Sequence, residues 1–427
     1  MSLGALKLAL DKAGEASYCE GTYELTERLA IALPDGDLGA IDDPTFVDWL
    51  LEHAEPAPFG NNKQTKVDKK VRNAQRLVAR GKVKVGGFEP AKIMDEVENA
   101  LSPTRKLTAR LTDVIIYPEG GKFSRHKDTP RTQDLVGTLI VELPYAHEGG
   151  EFVVDDGDKV HLVDWSGKAN KNRVRWVALF SDVDHEVKPV TKGSRITLVY
   201  SLIRTDVPRG DAVSKARREI LRTVADNMGD VRWPVMIACS RQIIIEDNAW
   251  PEVSALKGMD RDIAEVFVEA GYDVTVRACM FASQINAHGG MPDMGDVYQM
   301  MRLKKPITKK AIQKFDDILT FAETLTSDEG EFEEDEVENM SLAKFIDDEI
   351  GMDHWVFRAR AEATMIHAAS MFSDDGYFGN EAYEAFLYTL AALEISHKTS
   401  RKKPARVVVE DDEDDEDEDD DDDDEED

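Results

Sequence analysis

The sequence is poor in cysteine, in long apolar runs and in positive charge, and each shortage removes a class of protein. Cys19, Cys239 and Cys279 are the only cysteines in 427 residues, far apart and with no Cys-x-x-Cys pair. That fits neither a disulfide framework nor a cysteine zinc site, and it points to a reducing compartment. No apolar run approaches the ~20 residues of a membrane-spanning helix. The opening stretch MSLGALKLALDKAGEASYC is too short and too broken by charge for a secretory leader. The expected location is intracellular, cytoplasmic or nuclear, with no membrane partner.

Lys and Arg number 53 against 85 Asp and Glu, a formal charge of −32. Residues Glu410 to Asp427 are eighteen consecutive acids, and without them the other 409 residues carry −14. Such a body lacks the basic face that a general nucleic-acid binder needs, which argues against a nucleic-acid partner. The acidic run cannot bury enough apolar surface to fold. Residues 397–427 therefore read as a disordered tail, first basic, then acidic. Lys398 to Arg406 has the composition of a nuclear-localisation signal, and the acidic run that of a docking arm for a basic protein such as a histone or ribosomal protein. A second acidic cluster, Asp328 to Glu338, reads as a solvated loop.

Ahead of the tail the hydrophobic period changes twice. Residues 1–40 form an N-terminal segment. A helix is expected over Pro44–His53, with Asp43 at its N-cap, and another over Ala91–Leu101, with loop over 56–70 between them. From Leu107 to Leu202 the period is two, and eight strands follow one another: Leu111–Tyr117, Phe123–Thr129, Leu135–Leu143, Gly150–Val154, Lys159–Val163, Val174–Phe180, Asp184–Val190 and Arg195–Leu202. Eight strands in about 95 residues predict a jelly-roll or small barrel flanked by helices, so that 41–205 is one domain with its core at 107–202. Residues 211–396 read as mainly helical, over Asp211–Met228, Ile307–Leu325, Leu342–Ile350, Val356–Met371 and Glu381–Ser396. Strand-like patches interrupt them at Val235–Cys239, Gln242–Ile245 and Val274–Phe281. The fold class is α+β.

Chemistry concentrates on two of the eight strands. His126-Lys127-Asp128 is the one His-x-Asp triplet, and on a strand its first and third side chains share a face. In Asp184-His-Glu-Val-Lys-Pro-Val the alternation that turns Asp184, Glu186 and Lys188 outward turns His185 inward. Two imidazoles and a carboxylate on neighbouring strands make a three-ligand face suited to non-haem Fe(II), though zinc tolerates the same set. Arg195 starts the last strand. A hairpin about Thr191-Lys192-Gly193 would set it opposite Pro189, about 13 Å from His185 at roughly 3.3 Å per residue. A five-carbon diacid chelating the metal would span that gap to a guanidinium fork. Arg195, Thr197 and Val199 are expected inward, with Ile196, Leu198 and Tyr200 outward.

These residues resemble the Fe(II)- and 2-oxoglutarate-dependent oxygenases, in their prolyl 4-hydroxylase-like branch. The resemblance covers about Asp113 to Leu202. It rests on Tyr117-x-x-Gly120-x-x-Phe123-x-x-His126-x-Asp128, on Gly149-Gly150-Glu151-Phe152, and above all on His185-Glu-Val-x-Pro189-Val-x-x-Gly193-x-Arg195. It implies a double-stranded β-helix, Fe(II) held by His126, Asp128 and His185, and 2-oxoglutarate held by Arg195 at its distal carboxylate. Tyr117 and Thr138 match positions that line the co-substrate pocket. It further implies O2 as the other co-substrate, with ascorbate an optional reductant, and hydroxylation of an unactivated C–H with release of succinate and CO2. A protein or peptide substrate, with proline as target, follows from the branch. A small-molecule hydroxylase and a catalytically silent scaffold that binds basic partners through its tail are the alternatives. The nucleic-acid demethylase branch carries a second arginine six residues after the first, where this chain has Ser201. Outside the motifs, His161 reads as a satisfied core histidine, Trp165 and Trp176 as core or rim aromatics, and His147, His288, His354 and His367 receive no role.

Overall fold

The period-two stretch folds into two antiparallel sheets packed face to face. The computed structural model describes residues 2–14, 16–41, 43–61, 64–79, 81–128, 132–157, 159–167, 170–229, 231, 233–243, 252–286, 297–302, 355–356, 358, 364–373 and 381–397. All of them lie in the first of two units, Met1–His397, the second being Lys398–Asp427. The larger sheet of the barrel has seven strands, in the order Tyr18–Glu24, Arg173–Phe180, Leu135–Glu142, Arg195–Pro208, Arg105–Tyr117, Gln75–Val78 and Glu55–Pro56. The smaller has five, in the order Val160–Val163, Phe152–Asp155, Asp184–Val187, Lys122–His126 and Arg72–Asn73. Each of the eight expected strands has its counterpart here, and strands from the first eighty residues extend both sheets. The double-sheet architecture is that of a jelly roll.

The hairpin expected about Thr191-Lys192-Gly193 does not form. Val190–Gly193 pairs with His147–Gly149, and the chain then crosses to the larger sheet, where Arg195 lies opposite Tyr117 and not Pro189. Gly193 makes this corner with φ +75°, and a Cβ there would stand 2.8 Å from the carbonyl oxygen of Ala146. Nor does the outward face of the last strand meet water. Ile196, Leu198 and Tyr200 are buried in the same core as Phe46 and Leu50 of the helix Phe46–Glu52 and Val97 and Leu101 of the helix Met94–Leu101. These are the two helices expected from periodicity, but the first starts later than expected, with Thr45 and not Asp43 at its N-cap; Asp43 accepts from the Thr45 amide at 2.8 Å.

The second half needs a larger correction, because its described part is built around a sheet. Tyr272–Asn286 and Glu381–His397 pair antiparallel over fifteen residues, Val297–Arg302, Val235–Ala238 and Trp355–Val356 extend the sheet, and Thr364–Ser373 pairs with Glu381–His397. Where the segments expected as helices, Val356–Met371 and Glu381–Ser396, are described, they hold strand and no helix. Ala, Leu and Glu dominate the latter segment and favour a helix locally, but Leu393 and Ile395 alternate in burial and lie opposite Val276 and Val274, so cross-strand packing decides the conformation. Ala212–Asp226, capped by Asp211, and Gly258–Glu269 are helical, and with the first helix, Leu3–Ala13, they bury Leu6, Leu10, Leu221, Ile263 and Phe267 in a second core with Val235, Ile237, Leu393 and Ile395. Val213 and Ile220 of Ala212–Asp226 are exposed. Gln242 and Ile243 are in no strand. The remaining expected helices at 307–325 and 342–350, the acidic cluster at 328–338 and the tail lie outside the described residues.

Of the glycines described, Gly137 is the one pressed most closely by a neighbour. A Cβ there would stand 2.0 Å from the carbonyl oxygen of Leu179 on the paired strand, and backbone cannot retreat as a side chain can. Gly137→Ala is expected to destabilise the protein by roughly 1–3 kcal/mol, as overpacked cores do, measured as a lower urea midpoint at unchanged slope.

Candidate metal centre

His126 and His185 lie directly opposite each other in the smaller sheet, His126 at the end of Lys122–His126 and His185 second in Asp184–Val187. A register irregularity between Phe123 and His126 sets this pairing. Both imidazoles point between the sheets, with ring centroids 4.3 Å apart. Phe123 stacks on His126, and Phe152 lies 5.4 Å from His185, so aromatic faces wall the pair. Asp128 follows two residues after His126, and its Oδ1 is 4.0 Å from Nε2 of His126 and 3.9 Å from Nε2 of His185. The three donor atoms all lie within 4.8 Å of one another, a triangle with room at its centre for an ion bonded at roughly 2 Å. Among the described residues this is the one cluster of at least three such donors.

The same device sets both tautomers. Nδ1 of His126 lies 2.8 Å from the carbonyl oxygen of Ser124, and Nδ1 of His185 lies 2.9 Å from that of Val183. A carbonyl only accepts, so each Nδ1 holds the proton and each Nε2 keeps its lone pair for a metal. Burial, reinforced by the neighbouring His185, pushes the pKa of His126 far down, which keeps that ring neutral. Burial alone would raise the pKa of Asp128, but His185, His126 and the Thr138 hydroxyl together hold it below the ordinary value. Thr138 donates to Asp128 Oδ2 at 2.5 Å and leaves Oδ1 to face the imidazoles. Its hydroxyl thus contacts Asp128, one of the three candidate donors.

On the opposite sheet Arg195 is 1 % exposed. Its guanidinium carbon lies 5.6 Å from the ring centre of Tyr117 and 5.3 Å from that of Trp165, so two aromatic faces hold it. Its Nε is 3.3 Å from Oε2 of Glu142, while Oε1 of Glu142 accepts from Arg175 at 2.9 Å. Arg175 also donates to the Trp165 carbonyl. Arg195 Nη2 is buried and makes no hydrogen bond among the described residues. Gly150 lies against this group: a Cβ there would stand 3.1 Å from Arg195 Cδ and 3.6 Å from His147 Cδ2. A buried guanidinium with a nitrogen to spare, across from a three-donor metal face, fits a co-substrate that is a chelate at one end and a carboxylate at the other.

Periodicity and motif thus located six side chains, and the structure gathers them as two groups, Thr138 reaching the first from the larger sheet. His126, Asp128, His185 and Thr138 form the first, Arg195 and Tyr117 the second. Glu142, Trp165 and Arg175 were missed as partners of Arg195. A carboxylate inside the apolar run Leu-Ile-Val-Glu-Leu was the available signal for Glu142. His147, given no role, is buried with Nδ1 3.3 Å from the Tyr145 carbonyl, and burial lowers its pKa. His161 is not a core histidine: it is half-buried, 3.5 Å from Asp156 and ring to ring with Tyr18. Trp176 is a core residue, as read.

Residues 112–201 match the family model of the 2OG-Fe(II) oxygenase superfamily. This stretch is a 2OG-Fe(II) oxygenase domain. Two histidines and an aspartate holding one face of the ion, with the other positions left open, are the donor set that Fe(II) takes in such domains. No protein of curated function matches the chain. Among solved structures, a Trichoplax adhaerens prolyl hydroxylase in complex with a peptide fragment of the hypoxia inducible factor oxygen degradation domain is 16% identical, over 47% of this chain and 90% of that one, with a TM-score of 0.28. A Pseudomonas putida prolyl-4-hydroxylase is 17% identical over 47% and 99%, with a TM-score of 0.28. A 2OG-Fe(II) oxygenase family oxidoreductase from Burkholderia pseudomallei is 15% identical over 48% and 92%, with a TM-score of 0.26. Overlaps this loose have no bearing on substrate.

Because the Thr138 hydroxyl fixes which oxygen of Asp128 faces the imidazoles, Thr138→Val is expected to weaken Fe(II) binding by about tenfold, within the range of lost outer-shell partners. His185→Ala is expected to abolish tight binding. Anaerobic Fe(II) titration of the purified protein measures both.

Proposed function

We propose that the oxygenase domain hydroxylates an unactivated C–H on a protein side chain, with proline the first candidate, and turns 2-oxoglutarate into succinate and CO2. The observation that carries this reading is the pairing of the His126–Asp128–His185 face with the buried, aromatic-held guanidinium of Arg195 on the facing sheet. The choice of a protein substrate rests on the motifs shared with the prolyl 4-hydroxylase-like branch.

Bound Fe(II) supplies the activation of O2, driven by oxidation of the co-substrate. His126 and His185 would hold it through Nε2 and Asp128 through Oδ1, confining it to one face. Arg195 would bind the distal carboxylate through its free edge, and that fixes which way the chelating end points. Tyr117 and Trp165 keep water from this ion pair, so the charge of Arg195 acts undiluted by solvent. Phe123 and Phe152 do the same for the imidazoles. Thr138 stops Asp128 from turning its second oxygen inward.

Incubating the full chain with Fe(II), 2-oxoglutarate, O2 and candidate proline-bearing peptides, and following succinate release and a one-oxygen mass gain, tests the reading. Succinate release that depends on Arg195 together with the mass gain bears it out. A folded, metal-loaded protein that neither shows a 2-oxoglutarate-dependent visible band nor releases succinate leaves the scaffold alternative. Arg195→Ala is expected to weaken 2-oxoglutarate binding by about a hundredfold, as loss of a buried charge-assisted pair does, read as the concentration needed for that band.

The pH dependence follows from Glu142. Burial pushes its carboxyl up to about 7, against the pull of Arg195 and Arg175. Below that pH it is protonated, and the positive charge of Arg195 is free for the co-substrate. Above it the carboxylate beside Nε competes. Affinity for 2-oxoglutarate should therefore fall as pH rises through about 7, by at most roughly tenfold per unit. Glu142→Gln, titrated between pH 6 and 8, should bind with little change.

A further inference from the structure

Polar side chains from the elements around the second core reach the barrel at the turn Ser181-Asp182-Val183. This turn joins Arg173–Phe180 to Asp184–Val187 and lies immediately before the ligand His185. Asp182 is 2 % exposed. Its Oδ1 is 3.3 Å from Nη1 of Arg241, and its Oδ2 accepts from the backbone N–H of Gln242 at 2.7 Å. Arg241, 4 % exposed, lies over the ring of Phe180 with its guanidinium carbon 4.0 Å from the ring centre, and donates to Ser17 Oγ at 3.4 Å. Beside it Lys257 Nζ donates to Ser181 Oγ at 3.3 Å.

The clamp is anchored on its far side too. Asp260, in the first turn of the helix Gly258–Glu269, accepts from the backbone N–H groups of Ser240 at 3.1 Å and of Arg241 at 3.0 Å. A carboxylate at that end of a helix is favoured by the backbone dipoles. Arg358 pairs with Asp260 and donates to Ser240 Oγ at 2.9 Å. A chain of directional bonds thus runs from that helix through Asp260, Arg241 and Asp182 to the turn. The turn presents the Val183 carbonyl that faces His185 Nδ1 at 2.9 Å. The matching carbonyl for His126, that of Ser124, is held inside the barrel, where the Ser124 amide donates to Val71.

We propose that Asp182 and Arg241 are positioning residues for the metal centre, through which the C-terminal region sets the orientation and tautomer of His185. The inference rests on the metal-centre reading above and gives residues beyond 235 a part in it. A turn free to shift would carry the Val183 carbonyl away from Nδ1, and the ring would lose the bond that aims Nε2.

The test uses the full chain and anaerobic titration with Co(II) or Fe(II). Asp182→Asn keeps the shape of the side chain and removes its charge; Arg241→Lys keeps the charge and removes the fork. Each is expected to raise the metal Kd by about tenfold or more, with far-UV circular dichroism as in the wild type. Arg277→Lys, in an ion pair with Glu394 elsewhere in the same region, is expected to leave the Kd unchanged. Coupling is reciprocal, so metal must also steady the clamp. In the wild type, Co(II) loading should slow deuterium exchange at Gln242 more than at Val276, in the strand Tyr272–Asn286. Wild-type Kd in both clamp variants, or no selective slowing at Gln242, overturns the proposal, and the exchange experiment decides it even where a variant does not fold. A wild type that binds no metal overturns the metal-centre reading itself, and this proposal with it.

Discussion

His126 and His185 meet across a single antiparallel pairing, and the site depends on that register. Side chains on a strand alternate between faces, so a slip of one residue would turn one imidazole to solvent and leave two donors instead of three. The register irregularity before His126 and the burial of Phe123, Phe152 and Val187 around the pair oppose such a slip. Each ring is then fixed by the carbonyl two residues before it, in the strand for His126 and in the preceding turn for His185. The metal face is thereby prepared before any ion arrives, and preparation of this kind reduces the reorganisation that binding would otherwise require.

Arg195 solves a different problem. A buried guanidinium is costly unless something compensates its charge, and a full salt bridge would leave it nothing with which to hold a co-substrate. Glu142 takes an intermediate course. It stands beside Nε, shares its own charge with Arg175, and is itself pushed toward neutrality by burial. Tyr117 and Trp165 supply compensation that no proton can remove, because a ring face attracts a cation at any pH. The outcome is a cation stable enough to fold around and still open to a carboxylate.

The barrel was legible in the sequence because its strands obey one rule at a time. Alternation exposed eight of them, turn residues separated them, and the motifs picked out His126, Asp128 and His185, whose donor atoms the fold brings together. What failed was pairing across distance. The corner at Gly193 reads locally as a hairpin, yet the chain changes sheets there, and no nearby residue signals that Arg195 will lie opposite Tyr117. Glu142 stands out in an apolar run, but its partners escaped for the same reason, since Arg195 and Arg175 come from strands later in the chain. Glu381–His397 failed through propensity: Ala, Leu and Glu speak for a helix, and the long pairing with Tyr272–Asn286 that overrules them is a non-local fact.

That non-local contacts escape sequence reading bears on how the two halves are joined. Two apolar cores could be held together by packing alone, but packing fixes distance more firmly than direction, and an imidazole must be aimed. Hydrogen bonds have direction, and the carboxylate of Asp182 receives them from two donors of one short segment, Arg241 and Gln242. Burying these charges is unfavourable unless every one is answered, which makes the arrangement intolerant of small shifts. Such intolerance contributes little to stability and much to uniqueness of position. It is best placed where a small rotation matters most, and in this molecule it stands three residues before His185.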